Sequence, residues 1–335
     1  MEKEKNPGPV DYSRQIKLRQ IGLEGQKKIR DAKVAVVGAG ALGSAIALYL
    51  TKIGVGTITI IDRDLVEKSN LPRQILYTPE DVGKEKALVA EKRLREINPD
   101  VIVEGYAQHI DHSTTHLLGG ADIVLDGTDN LHTRHLLNQY AVKKQKPWIY
   151  GGAIGTVGMT ATFTPDGPCF NCIFPYDSNP GTPETCATMG VLGTLPTLIA
   201  SIQATEAVKL IIGEKPRKTL LYINLWDNTW REISIKKRKN CEVCEKHLYP
   251  HLTGEKRLIT TSFCEGNRVQ ITPPVRTSGL VKHLNETAGA EIVDGKAVLR
   301  EEGLEILIYD DGRAIITGTS DENEAKKIYQ KYVSI

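Results

Sequence analysis

Residues 33–64 read KVAVVGAGALGSAIALYLTKIGVGTITIIDRD. The apolar run 34–37 ends at Gly38, and Gly40 and Gly43 complete G-x-G-x-x-G. A helix-period segment continues to about Ile53, where Gly54 and Gly56 stop it. A second apolar run, 57–61, ends in Asp62. The order is strand, glycine turn, helix, strand, acid. Glycines permit the tight turn and bring backbone N–H groups close to a phosphate. The helix N-terminus adds partial positive charge there, and the acid can hold a ribose. A lone G-x-G-x-x-G is weak evidence, but here the strand, the helix and the spacing to Asp62 all agree with a nucleotide site.

Outward from this unit, residues 65–87 are loop-like, marked by Asn70, Pro72 and Gly83. They carry Arg73 and Lys86 just past the second strand. Such cations are commonly a solvated face, yet ligands of open α/β sheets gather beyond the carboxyl ends of the strands. A helix over 84–97, a strand over 101–107, a helix over 113–118 and a strand over 122–126 follow. The last strand runs into Gly127-Thr128-Asp129-Asn130, so Asp126 or Asp129 faces the same crevice. A carboxylate there suits Mg²⁺, and Asp129 also suits the cap of the next helix. A helix over 131–145 and a strand over 147–150 complete an alternation that argues for a mainly parallel sheet.

The pattern then changes. Residues 155–163 alternate as an antiparallel strand, and 190–212 form a long apolar helix interrupted by Pro196. Residues 220–224 and 229–235 form a β pair. Cys169-x-x-Cys172 and Cys241-x-x-Cys244 supply four thiolates, the donor set of a closed, structural Zn²⁺ site. Cys186 lies between a Pro/Gly/Ser-rich stretch and a helix start, where a thiol is either incidental or activated by the helix N-terminus. Residues 252–267 read as a linker, and a small α+β module runs from about 265 to 335, with Asp310-Asp311-Gly312 as a turn between strands.

The expected architecture is α/β: a Rossmann-like, mainly parallel sheet extended by antiparallel strands and a zinc site, plus the small C-terminal α+β module. The domains are an arm over 1–30, a core over 31–252 and the module over 265–335. A net charge of +2 gives no reason to expect nucleic acid or a membrane surface. No continuous apolar run reaches the roughly 18 residues needed to span a bilayer, and the polar N-terminus is unlike a signal peptide. A cytoplasmic protein is expected, and with six cysteines in 335 residues, metal or catalytic thiols rather than disulfides.

The motifs together resemble the ThiF/MoeB/HesA adenylyltransferases, relatives of ubiquitin-activating enzymes. They are Arg14 within YSRQI, the glycine turn, Asp62-x-Asp64, the run Ser69-Asn70-Leu71-Pro72-Arg73-Gln74, Gly83-x-x-Lys86, Asp129-Asn130, both C-x-x-C pairs and Cys186. The likeness covers about residues 10–250. It implies adenylylation, with ATP as substrate, of the C-terminal carboxylate of a ubiquitin-fold sulfur carrier ending in Gly-Gly, with loss of pyrophosphate. By that resemblance Asp62 holds the ribose, Arg73 and Lys86 contact the phosphates, Asp129 binds Mg²⁺, and Asn70 and Gln74 line the site. Asp64, Ser69 and Asn130 fall within the same motifs. Ala41 stands where some members have glycine. Arg14 would serve a neighbouring subunit, which implies a homodimer, and Cys186 matches a cysteine that some members bond to the carrier. A separate sulfur donor, such as a cysteine desulfurase, is implied. The segment IYDDGRAIITGT resembles the extension of Bacillus-type ThiF proteins and favours the thiamine carrier, ThiS-like, over the MoaD-like carrier of molybdopterin synthase. Two other readings are a nicotinamide-dependent oxidoreductase, supported only by the opening unit, and a non-catalytic scaffold for a ubiquitin-fold partner.

Overall fold

The computed structural model describes residues 10–175, 190–253, 259–262, 267–273, 278–301 and 303–333. The chain divides into two compact units, residues 1–128, 133–180 and 191–248 in one, and residues 129–132, 181–190 and 249–335 in the other.

The first unit is built on an eight-stranded sheet. Its strands are β1 (Lys33–Val37), β2 (Thr57–Ile61), β3 (Ile102–Tyr106), β4 (Ile123–Asp126), β5 (Trp148–Ile154), β6 (Val157–Phe163), β7 (Thr219–Asn224) and β8 (Thr229–Ser234). Their spatial order is β3-β2-β1-β4-β5-β6-β7-β8. The first five are parallel, and β6, β7 and β8 extend the sheet antiparallel. The sequence-based expectation of a parallel sheet extended by antiparallel strands is met. The order reverses direction between β1 and β4, so a crevice opens beyond their carboxyl ends.

The apolar runs of β1 and β4 are buried because helices cover the sheet. The helices are α1 (Ser13–Ile16), α2 (Gly22–Asp31), α3 (Ala41–Ile53), α4 (Lys86–Ile97), α5 (Leu131–Lys144), α6 (Phe170–Ile173) and α7 (Thr194–Ile212). Helix α3 ends in Gly54 at φ +88°, a left-handed cap that a side chain would strain. Helix α7 packs against α3 and β5. It is not interrupted at Pro196. That residue sits third in the helix, where its missing N–H leaves no bond unmade. By length and composition α7 is the one helix among the described residues apolar enough to cross a membrane, and half of its most apolar window is buried inside the protein. Gln203 and Glu206 on it are buried, which suits a core helix. Residues 115–118 form a 3₁₀ turn, not the expected α-helix, in a segment pinned by Asp111 and Thr114 side chains.

The second unit holds α8 (Pro250–Thr253) and a six-stranded antiparallel sheet, β11-β12-β13-β14-β10-β9. Its strands are β9 (Ile259–Ser262), β10 (Arg268–Thr272), β11 (Glu291–Val293), β12 (Lys296–Glu301), β13 (Leu304–Ile308) and β14 (Ala314–Thr317). Residues 259–262, read from sequence as linker, form an edge strand paired with β10, whose free backbone edge supplies the hydrogen bonds. Helices α9 (Leu280–Ala288) and α10 (Glu322–Tyr332) pack on the sheet around Ile306, Ile308 and Tyr329. The Asp310-Asp311-Gly312 turn joins β13 to β14 as expected.

A candidate nucleotide site and a four-cysteine centre

The glycine turn sits where β1 leaves the sheet. Gly38 has φ +87°, and a Cβ on Gly43 would lie 1.7 Å from the Gly38 carbonyl oxygen. No L side chain fits either place. Gly127, at the end of β4, also packs against this turn: its Cβ would lie 2.7 Å from the same oxygen. The two strand exits are therefore held together at the switch point. Gly40 precedes α3 and supplies no side-chain cap, so the first-turn N–H groups beginning at Ala41 remain available to an anion.

Asp62 is locked onto that turn. One carboxylate oxygen accepts the Ala39 N–H at 2.6 Å and the other accepts the Asp64 N–H at 2.7 Å. Burial and the neighbouring Asp64 push its pKa up to about 6, with Lys86 opposing. The other face of the Ala39 peptide is fixed by Tyr77, whose hydroxyl donates to the Ala39 carbonyl at 2.8 Å and approaches that of Lys86 at 3.3 Å. Lys86 is the first residue of α4 and is buried, with Nζ 3.4 Å from an oxygen of Asp64. Asn70 is buried and closes a reciprocal cap with Glu67 around the 3₁₀ turn 68–70. Arg73 donates to the Ser69 carbonyl at 2.6 Å. Gln74 is buried beside Gly40, and its Oε1 has no hydrogen-bond partner among the described residues. An unpartnered buried acceptor next to a glycine cradle fits a ligand with donor groups. The structure thus brings Asp62, Asp64, Gln74 and Lys86 together with the glycine turn of Gly38, Gly40, Ala41 and Gly43, and Ser69, Asn70 and Arg73 lie on the segment that leads into Gln74.

The raised Asp62 pKa has a stability consequence. Because the folded value lies above the unfolded one, Asp62 favours the fold below about pH 4 and loses that contribution as pH rises through about 6. The full change is on the order of 3 kcal/mol. Denaturant titrations of ligand-free native protein and Asp62→Ala are expected to show the native protein losing stability relative to the variant from pH 4 to pH 7. A difference independent of pH would contradict this assignment.

Of the two acids at the end of β4, Asp126 is not available to a cation. It is fully buried and accepts the Thr128 N–H at 2.8 Å and the Thr128 hydroxyl at 2.6 Å, and it pairs with Arg134 at 3.2 Å. Burial raises its pKa, and Arg134 and Thr128 oppose the rise. Asp129 and Asn130 follow in the chain and group with the second unit. Arg14, on α1, is exposed. Around it, Gln15 donates to the Ile53 carbonyl at 3.1 Å, and the Tyr12 hydroxyl accepts from Asn98 at 2.8 Å. The arm is thereby fixed at the C-terminal end of α3, about 20 Å from that helix's glycine end. Cys186 lies outside the described residues.

Sequence reading missed Tyr77, Thr128, Arg134 and Gln203. Gln203 donates to the Asp126 and Ile149 carbonyls at 2.9 and 3.2 Å. The one available signal was Arg134 itself, a cation on the first turns of a helix that follows an acidic turn.

The four cysteines form a separate centre. Their sulfurs all lie within 4.8 Å of one another, with Cys169–Cys241 at 3.7 Å, Cys172–Cys244 at 3.5 Å and Cys169–Cys172 at 3.9 Å. Tetrahedral zinc with Zn–S near 2.3 Å requires about 3.8 Å between sulfurs. The cluster can therefore hold zinc, as the pairing of C-x-x-C motifs predicts. It ties α6 to the segment after β8 across a separation of 72 residues. The Asn171 amide lies 3.7 Å from the Cys241 sulfur, a contact suited to a thiolate. The hydrogen bond to Cys169 draws the Cys172 thiol down, whereas burial and the hydrogen bond to Cys172 push Cys244 up.

Taken together, a glycine cradle at the switch point, a buried lysine at its rim and a four-cysteine cluster define a Rossmann-type nucleotide-binding fold. The ThiF family model matches residues 12–243, and the chain belongs to the ThiF family. It is 38% identical over 334 residues to the sulfur carrier protein ThiS adenylyltransferase of Bacillus subtilis, a match covering 96% of this chain and 98% of that protein. It is 42% identical over 236 residues to the SAMP-activating enzyme E1 of Haloferax volcanii, covering 70% of this chain and 87% of that one. Among solved structures, Escherichia coli MccB matches with a TM-score of 0.63 at 24% identity, over 70% of this chain and 71% of that one, a likeness of fold.

Proposed function

We propose that this chain adenylylates the C-terminal glycine carboxylate of a ThiS-like, ubiquitin-fold sulfur carrier, for thiamine thiazole biosynthesis. The observation that carries this reading is the match to the Bacillus subtilis ThiS adenylyltransferase, which extends through the C-terminal unit as well as the core. The nucleotide site supports it chemically. The carrier carboxylate attacks the α-phosphorus of ATP, an acyl-phosphate bond forms, and the bond to the departing pyrophosphate breaks. Such transfers depend on positioning and on neutralising charge at the phosphates. The first-turn N–H groups beginning at Ala41, with Lys86 and Arg73, provide that charge, and Asp62 receives the ribose. Asn70 and Gln74 line the nucleotide. Asp129 holds Mg²⁺ in this reading, as the family resemblance implies, and Asp126 does not, being engaged by Thr128 and Arg134. Bound there, Mg²⁺ would offset phosphate charge.

Arg14 cannot serve its own glycine turn from the far end of α3, which supports a homodimer in which it reaches the partner's nucleotide. The remaining parts of the reading are zinc in the four-cysteine centre, a cytosolic location, a separate sulfur donor such as a cysteine desulfurase, and a carrier-bonding role for Cys186.

The direct test is exchange of labelled pyrophosphate into ATP with purified ThiS-like and MoaD-like carriers side by side. Exchange is expected with the ThiS-like carrier, and exchange with the MoaD-like carrier alone would move the enzyme to the molybdopterin branch. Exchange with neither would remove the adenylylation reading. Asp129→Ala is expected to abolish exchange, and full exchange in that variant would exclude Asp129 from the reaction.

A further inference from the structure

Tyr77 lies under the glycine turn and is buried. Its hydroxyl donates to the Ala39 carbonyl at 2.8 Å and lies 3.3 Å from the Lys86 carbonyl. Burial, with Asp62, Asp81 and Asp64 adding to it, pushes its pKa well above the usual tyrosine value, so the hydroxyl stays a donor near neutral pH. Asp62 accepts the Ala39 N–H at 2.6 Å. The two peptides on either side of the Ala39 Cα are thus held by different side chains, the first by Asp62 and the second by Tyr77. The second joins Ala39 to Gly40, the residue before α3. No peptide bond among the described residues is cis, and in a planar trans peptide the carbonyl and the N–H point opposite ways. With its carbonyl drawn to the buried Tyr77 hydroxyl, this peptide turns the Gly40 N–H the other way. Gly40 itself is loosely surrounded: a Cβ on it would meet, apart from its chain neighbours, only Gln74 Nε2, at 3.9 Å.

A phenylalanine ring would fill nearly the same volume, so packing alone does not call for the hydroxyl. What the hydroxyl adds is one oxygen within 3.3 Å of two backbone carbonyls, one on the glycine turn and one at the start of α4. We propose that Tyr77 is a positioning residue for the phosphates of the nucleotide. Through the Ala39 carbonyl it aims the Gly40 N–H and the first turn of α3 at them, and through the Lys86 carbonyl it keeps that turn in register with the start of α4. This rests on the nucleotide site of the reading given above and is independent of which carrier is used.

Tyr77→Phe removes the hydroxyl and keeps the ring. Calorimetry compares the native protein and Y77F with two ligands in one buffer: a non-hydrolysable ATP analogue, and adenosine, which lacks the phosphates. Y77F is expected to melt within about 10 °C of the native protein. It is expected to bind the analogue about tenfold more weakly, the scale of one hydrogen bond to a charged group. Adenosine is expected to bind both proteins alike. A purely structural role predicts equal losses for the two ligands, since Asp62, which receives the ribose, is bonded to the same turn. Equal losses, unchanged affinity for the analogue, or failure of Y77F to fold would each overturn the proposal. Native protein that binds neither ligand would remove the nucleotide site and this proposal with it. Native protein that binds the analogue without catalysing exchange would count against the adenylylation reading alone.

Discussion

Alanine in place of Lys86 is expected to lower carrier-dependent pyrophosphate exchange by about 10²–10³-fold, the usual loss when one preorganised donor to developing charge is removed. Three features set this scale. Lys86 opens α4, so its ammonium adds to the positive end of that helix. Its side chain is only 7% exposed, so little water competes with a phosphate for it. Its ion-pair contact with Asp64 is 3.4 Å long and Asp64 is 40% exposed, a loose contact that a phosphate can share or displace. The substitution also removes the cation that opposes the upward pKa shift of Asp62. Asp62 should then titrate at higher pH, so the variant's residual exchange should fall further in mildly acidic buffer. Exchange assays at saturating carrier, with ATP binding followed separately by calorimetry, check both statements. Activity within about threefold of native would exclude Lys86 from phosphate charge neutralisation.

Loss of the metal from the four-cysteine centre is expected to lower the melting temperature by more than about 10 °C. Structural zinc contributes several kcal/mol or more to folding, and each kcal/mol moves a domain of this size by about 2–4 °C. The cluster closes a 72-residue span that includes α7 and the last two strands of the sheet, β7 and β8. Chelator treatment and Cys172→Ser should act alike, because either leaves thiols packed within 4.8 Å without the cation that offsets their charges. Metal analysis should return one zinc per chain before treatment. Protein purified without metal, or unchanged in melting temperature after verified metal removal, would refute a structural zinc site.

The parallel core was legible because its strands are short apolar runs alternating with helix-period segments, and two of them, β1 and β4, exit into glycine. The C-x-x-C pairs were legible because their local spacing already makes half of a tetrahedral site. The boundaries read less well. Residues 259–262 form a strand only because β10 offers a hydrogen-bonding edge, a partner that local sequence does not display. Pro196 is harmless because the helix starts later than its apolar pattern suggests, which moves the proline into the first turn.

The opening stretch, 33–64, determined by itself that a tight glycine turn joins β1 to α3 and that Asp62 follows the second strand. Sterics and chain direction act locally there, and no other residues are needed to specify them. Tertiary structure alone decided what each acid does. It turned Asp62 into a clamp on the glycine turn as well as a ribose candidate. It also committed Asp126 to Thr128 and Arg134, which takes it out of reach of a cation. Two aspartates that look equivalent in sequence differ because burial demands a partner for one, and that partner comes from the next helix.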